Sequence, residues 1–129
     1  NTILYGHEVI EGNTFTIQPG MFVLAVSQEN ITLPKNIAAA CEGKSSLARL
    51  GLTIHQTGGW IDAGFGGTLT FELFNVNNRP IRLYNGMPIA QLVFFEGETC
   101  RVGYNEKSTS KYKHQTGATL SRYHLTKVL

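Results

Sequence analysis

Cysteine is scarce in this 129-residue chain: there are two, Cys41 and Cys100. Two cannot build a disulfide framework, and no secretory segment precedes them, so a reducing cytoplasm is the expected compartment. No Cys-x-x-Cys occurs, and His7, His55, His114 and His124 lack ligand-like spacing. A zinc site of the kind used by zinc deaminases is therefore not expected. No G-x-S-x-G marks a serine nucleophile. Charge is sparse too: 16% of residues are charged and the net charge is +2. That gives no reason to expect nucleic-acid or membrane binding, although a local anion site is compatible with it. No apolar stretch approaches the ~20 residues that span a bilayer. No internal repeat and no second domain are visible. The chain opens at Asn1 rather than methionine, which suggests a processed or partial chain.

What is present is glycine, 14 residues of it, set between short apolar runs, with 42% hydrophobic residues overall. This pattern predicts one all-β domain with many tight turns. Phe15 and Ile17 alternate with polar neighbours, Pro19-Gly20 turns, and Met21 to Val26 (MFVLAV) is a buried strand. Gln28 to Asn30 is expected to turn the chain before a short extended piece ending at Pro34. Ile37 to Cys41 reads equally as strand or helical turn. Ser45 to Leu50 reads as a short helix, with Ser45 or Ser46 as N-cap and Gly51 as terminator. Further strands are expected at Thr53 to Gln56, Thr68 to Asn75, Ile81 to Leu83 and Ile89 to Phe95. Residues 1–13 are weakly patterned. The β core is expected to end near residue 102. Residues 103–129 then form a C-terminal arm, which reads either as a disordered tail or as a lid that orders over a ligand.

Individual segments carry little chemistry alone. Gly43-Lys44-Ser45 imitates the end of a phosphate-binding P-loop, but Ala38 stands where its first glycine must be and no long helix follows. A glycine, a lysine and two hydroxyls at a helix start still suit an anion, as they also suit an ordinary cap. In Thr68 to Phe74, alternation puts Leu69, Phe71 and Leu73 on one face and Thr68, Thr70, Glu72 and Phe74 on the other. Glu72 is then either a solvated strand residue or a carboxylate in a site. Asp62, before Ala63-Gly64, reads first as a turn residue.

Taken in order, the segments Gly43 to Leu52 (GKSSLARLGL), His55 to Phe65 (HQTGGWIDAGF), Thr70 to Leu73 (TFEL), Asn85 to Leu92 (NGMPIAQL) and Ser110 to Gly117 (SKYKHQTG), with Ser121-Arg122 beyond, resemble the dCTP deaminase family. The resemblance covers roughly residues 15–123. It implies a dUTPase-like β-barrel or jelly-roll-type sandwich with one short helix and a flexible C-terminal lid. Arg49 and Glu72 favour deaminase over plain dUTPase, and the His55 to Phe65 stretch looks most like the bifunctional branch that carries dCTP to dUMP.

The activity so implied is hydrolytic deamination of dCTP to dUTP and ammonia, with continuation to dUMP and diphosphate in the bifunctional case. Glu72 would be general base and then general acid. Ser45 would position the water, and Arg49 would stabilise charge. The backbone near Thr57 and Gly58 would read the pyrimidine, Asp62 would hold the 3′-hydroxyl, and the Phe65 region would exclude a 2′-hydroxyl. Lys44, Ser46, Tyr104, Lys111 and Gln115 would grip the triphosphate, and Gln91 belongs to the binding motif of the Asn85 to Leu92 stretch. Magnesium would arrive on the phosphates. The implied assembly is a homotrimer with sites between neighbours, and dTTP is a candidate inhibitor. The alternatives are a dUTPase, with Asp62 activating water, or an inactive nucleotide-binding relative. Lys44 replaces the family's usual arginine, and Gly58 replaces its commoner alanine. The family's N-terminal helix and strand have no counterpart here.

Overall fold

The computed structural model describes residues 2–6 and 8–125. His7 and the end of the expected arm lie outside the described residues. Among the described residues ten strands are formed: β1 (Thr2–Tyr5), β2 (Glu8–Glu11), β3 (Thr14–Ile17), β4 (Phe22–Thr32), β5 (Ile37–Gly43), β6 (Leu52–Thr53), β7 (Trp60–Ile61), β8 (Gly66–Asn75), β9 (Ile81–Tyr84) and β10 (Ala90–Glu96). One helix, α1 (Ser45–Ala48), follows β5. The strands make a five-stranded sheet β2-β1-β4-β8-β6, a three-stranded sheet β10-β5-β7 and the pair β3-β9. Every pairing is antiparallel.

A single core joins the sheets. Val23 and Ala25 of β4, Phe71 and Leu73 of β8, Ala39 and Cys41 of β5, Ile61 of β7, Ile17 of β3, and Ile81 and Leu83 of β9 are buried in one cluster. The predicted alternation of β8 holds from Thr70 on: Phe71, Leu73 and Asn75 are buried inward, while Thr70, Glu72 and Phe74 are half-exposed. At its start it does not, since Thr68 is buried, bonded to Gln115 of the arm, and Leu69 is half-exposed. Asn75 can be fully buried because its amide donates to the Ile17 and Arg79 carbonyls (2.9 and 2.8 Å) and its Oδ1 accepts from the Asn77 N–H. A buried amide so satisfied loses little relative to water.

The local expectations differ from the structure at several places. The strand expected at Thr53 to Gln56 is only Leu52–Thr53, because the chain leaves the sheet after Ile54. The run expected as a buried strand from Met21 alternates instead, with Phe22 exposed. The chain does not turn at Gln28 to Asn30: β4 continues to Thr32 through an irregularity between Val26 and Asn30. There the Ser27 hydroxyl accepts from the Leu69 N–H and donates to the Glu29 carbonyl, both at 2.8 Å, filling the gap in the ladder. The helix is a single turn, with Lys44 at the N-cap position and no side-chain cap, so neither Ser45 nor Ser46 is the cap. A macrodipole needs aligned turns, and one turn supplies little of it. Gly51, with φ of 90°, ends it as predicted. Ile37 to Gly43 is strand, because pairing along all of β10 outweighs a short ambiguous run. The weakly patterned start folds into the β1–β2 hairpin.

After β10 no further strand forms among the described residues, yet residues 97–125 do not hang free. They fold back along the β7–β8 connection and the start of β8. The Tyr104 N–H donates to the Ala63 carbonyl at 2.9 Å, the His114 N–H to the Gly66 carbonyl at 3.0 Å, and the Thr68 N–H to the Gln115 carbonyl at 2.9 Å. The Lys35–Glu106 ion pair, at 2.8 Å, ties the same segment to the β4–β5 loop. At Gly67 the approach is close enough to demand glycine. Its φ is 142°, and a Cβ there would lie 2.7 Å from the Gln115 carbonyl oxygen.

Candidate active site

The β6–β8 ladder ends in an unusual way, and that ending makes the site. Leu52 and Thr53 pair with Asn75 and Phe74, and the Glu72 N–H still reaches the Ile54 carbonyl at 3.0 Å. Beyond Ile54 the chain leaves the sheet. The next N–H to point back, that of Gln56, donates to Glu72 Oε2 at 2.9 Å. A side-chain carboxylate thus takes the place of a backbone carbonyl at the sheet edge. The Gln56 amide reinforces this, donating to Thr53 Oγ1 (3.1 Å) and to the Glu72 carbonyl (3.3 Å). The other carboxylate oxygen, Oε1, lies on the Gly58 side, 3.9 Å from where a Cβ of residue 58 would sit. That is ordinary contact, so the alanine commoner in the resembled family would fit here without strain.

Glu72 opens onto a cavity of about 730 Å³ whose lining includes Thr57, Gly58, Asp62, Phe65, Glu72, Tyr104 and Gln115. Seven of the residues expected at the site are therefore brought together by the fold of one chain. The arm closes one side. The Tyr104 ring packs on Phe65 with centroids 5.6 Å apart, and its hydroxyl accepts from the Tyr112 N–H. Burial raises the Tyr104 phenol above its ordinary pKa, so it stays a neutral hydroxyl. The Gln115 amide donates to the Thr68 carbonyl, leaving its own Oε1 buried without a partner beside the cavity. Thr119 and Tyr112, unremarked in the sequence, also line it; the Thr119 N–H donates to Thr70 Oγ1.

Behind the cavity, Gly59 admits His55: a Cβ at 59 would fall 2.7 Å from His55 Nε2 and 2.9 Å from the Cys41 carbonyl oxygen. The Cys41 thiol is pushed up to about 11, by burial first and then by the charges of Glu42 and Glu72. It is a neutral core thiol, not a nucleophile. Among the described residues no three His, Cys, Asp or Glu side chains come together as metal ligands.

The remaining expected residues lie elsewhere. Ser45, Ser46 and Arg49 are exposed on α1, Lys44 is half-exposed at its start, and none of them lines the cavity. Lys111 is half-buried in the arm but also away from the lining. Gln91 faces a different opening, of about 750 Å³, and its amide donates to the Gly43 carbonyl at 3.1 Å. In this chain it braces the turn into α1. The cavity is thus lined by two carboxylates, Asp62 and Glu72, and by no lysine, arginine or histidine among the described residues.

Gln56 is a further site residue that sequence reasoning passed over. It sits inside the HQTGG stretch, but nothing in a glutamine's spacing announces that its backbone will hold a carboxylate sixteen positions away.

A family model described as dCTP deaminase-like matches residues 3–97. A dCTP deaminase, dUMP-forming, from Methanospirillum hungatei is 53% identical over 127 residues, covering 98% of this chain and 69% of that protein. One of the same description from Methanoregula boonei is 55% identical over 123 residues, covering 95% and 67%. This chain therefore spans about two thirds of the length of these relatives. Among solved structures, a 2′-deoxycytidine 5′-triphosphate deaminase from Agrobacterium tumefaciens superposes with a TM-score of 0.60 at 24% identity, over 67% of this chain and 28% of that one. That likeness concerns the fold. The EIAV dUTPase superposes with a TM-score of 0.59 at 27% identity, over 71% and 75%.

Proposed function

This chain belongs to the dCTP deaminase-like family, and from that premise we propose that it hydrolyses dCTP to dUTP and ammonia and carries the product on to dUMP and diphosphate. The close relatives described as dUMP-forming support the second step. The observation that carries the first is Glu72, a half-buried carboxylate at the cavity with one oxygen held by a backbone N–H and the other on the side of Gly58, which also lines the cavity.

In this reading water adds at C4 of the cytosine. Glu72 Oε1 takes a proton from it and returns a proton to the departing amino group. Of the water's two hydrogens, one leaves with the amine as ammonia and the other ends on ring N3, while C4 becomes a carbonyl. Oε2 already accepts the Gln56 N–H, so Oε1 is the oxygen that carries the proton. The Thr57–Gly58 backbone reads the base, Asp62 holds the 3′-hydroxyl, and the Phe65 wall excludes a 2′-hydroxyl. For the second chemistry Asp62 is the candidate water-activating base.

A cavity with two carboxylates and no lining cation cannot by itself hold a triphosphate. Lys44, Ser45, Ser46 and Arg49, displayed on α1, are the groups the chemistry lacks. We assign them to the site of a neighbouring copy in a homotrimer. The apolar strip of Trp60, Val93 and Phe95, on one face of the β10-β5-β7 sheet, supports such an assembly. Trp60 is 58% and Phe95 48% exposed, and their rings pack tilted with centroids 5.4 Å apart. Lys111 and Gln115 of the arm complete the phosphate grip. Magnesium enters with the substrate, on the phosphate oxygens, and dTTP, which shares sugar and triphosphate, is the candidate inhibitor. No described helix is long and apolar enough to cross a membrane; the cytoplasm is the proposed location.

Incubation with dCTP and magnesium, followed by separation of products, tests the reading. Ammonia with dUMP is the expected result. Hydrolysis of dUTP with dCTP untouched would make the protein a dUTPase and return Glu72 to an ordinary strand carboxylate. Binding without turnover of either would make it a regulatory relative.

A further inference from the structure

We infer that Gln56 is a positioning residue for deamination: its side chain pins the loop whose backbone N–H fixes Glu72, and so decides which carboxylate oxygen moves the proton. The inference rests on Glu72 being the acid–base group. Gln56 is exposed at the cavity wall, and its amide nitrogen nevertheless has two acceptors, Thr53 Oγ1 and the Glu72 carbonyl. Both lie on the β6–β8 edge, so the side chain ties the departing loop back to the strand that carries Glu72. The backbone bond from Gln56 N–H to Oε2 depends on that tie, because beyond the Glu72 N–H to Ile54 bond no ladder pairing holds residue 56.

The chemical consequence follows from the donor. A backbone N–H only donates, so Oε2 accepts it best as the charged oxygen, with one of its lone-pair sites already occupied. Protonation is thereby favoured on Oε1, the oxygen on the Gly58 side. If the loop drifts, Oε2 is no longer held and the carboxylate turns freely about its last torsion. The proton is then taken up and returned from a less fixed point, and displacement of a reacting group by about 1 Å can cost up to ~10²-fold in rate. The triphosphate is gripped elsewhere, so affinity has little reason to change.

The test compares Gln56→Met, which keeps bulk and loses both donors, with Thr53→Val and Thr53→Ser, which remove and keep the hydroxyl acceptor. Steady-state ammonia release from magnesium dCTP and thermal melting are measured for each, beside wild type and Glu72→Gln. For Gln56→Met, kcat should fall about tenfold, with KM within about threefold of wild type and an unchanged melting temperature. Thr53→Val should shift kcat the same way by less, and Thr53→Ser should match wild type. A Gln56→Met enzyme with wild-type kcat would overturn the inference. So would one whose KM and melting temperature change along with kcat, which is the mark of a merely structural loop. If wild type itself releases no ammonia, the deaminase reading falls and this inference with it. If wild type is active and Glu72→Gln is not, a normal Gln56→Met sinks this inference alone.

Discussion

Glu72 and Arg49 are both charged groups of the candidate site, and the chain treats them in opposite ways. Glu72 is set into the second longest strand, with its own N–H, its carbonyl and one carboxylate oxygen each bonded to the loop beside it. Arg49 follows a single helical turn, exposed, and makes no side-chain hydrogen bond or ion pair with the described residues. One half of the site is finished within the chain; the other is presented outward. A cation held ready for a polyanion need not be neutralised in its own subunit, whereas a proton-transferring carboxylate must be oriented before substrate arrives.

The sharpest way to break this contrast is to remove each half in turn. Glu72→Gln should lower ammonia release by several orders of magnitude, beyond the ~10²–10⁴ of simple acid–base help, because one group acts twice. Nucleotide binding, followed by calorimetry, should survive. Arg49→Ala should also be nearly inactive. If the halves come from different copies, unfolding and refolding the two inactive variants together should restore activity at about a quarter of the sites, the fraction that pairs an intact Glu72 with an intact neighbouring Arg49. No recovery on mixing would place both halves in one chain and defeat the shared-site assignment.

A smaller effect is expected from the arm. Gly67→Ala adds a Cβ where only 2.7 Å separates it from the Gln115 carbonyl, at a φ of 142° that alanine resists. The arm should lift from β8, and KM for dCTP should rise about tenfold. The strained backbone should cost about 1–3 kcal/mol in denaturant titration. Faster amide exchange at Thr68 and His114 would locate the change. Unchanged exchange and KM would mean that the arm's place on β8 does not matter to the triphosphate.

The smallest effect concerns pH. The Lys35 ammonium and the Gly103 N–H hold Glu106 below its ordinary carboxylate value of 4.5. Because the folded value is the lower one, this contribution is present above pH ~4.5 and is lost as pH falls through the folded value. Glu106 is exposed, so solvent screens the pair and the change should be slight. Arm exchange should quicken only under acid, and Glu106→Gln should abolish that dependence without altering activity at neutral pH.

The sequence by itself determined the class and most of the frame. Alternation in Thr68 to Asn75 put Phe71 and Leu73 inside and Glu72 out, and glycines bounded the strands, because a pleated backbone has a period of two whatever it packs against. Five motifs in order determined the family. Local pattern did not determine where the chain would be held by distant partners. It suggested a turn at Gln28 to Asn30, where β4 is kept running by pairing with β8 and by the Ser27 hydroxyl. It left Ile37 to Cys41 undecided between strand and helical turn until β10 lay beside it. The arm's polar composition left a disordered tail and a lid both open; in the fold its backbone groups find partners on the β7–β8 connection and at the start of β8. The position of Gln56 on Glu72 was beyond sequence altogether. Hydrogen bonds between residues sixteen apart depend on where one strand stops pairing and its neighbour continues, and only the folded sheet decides that.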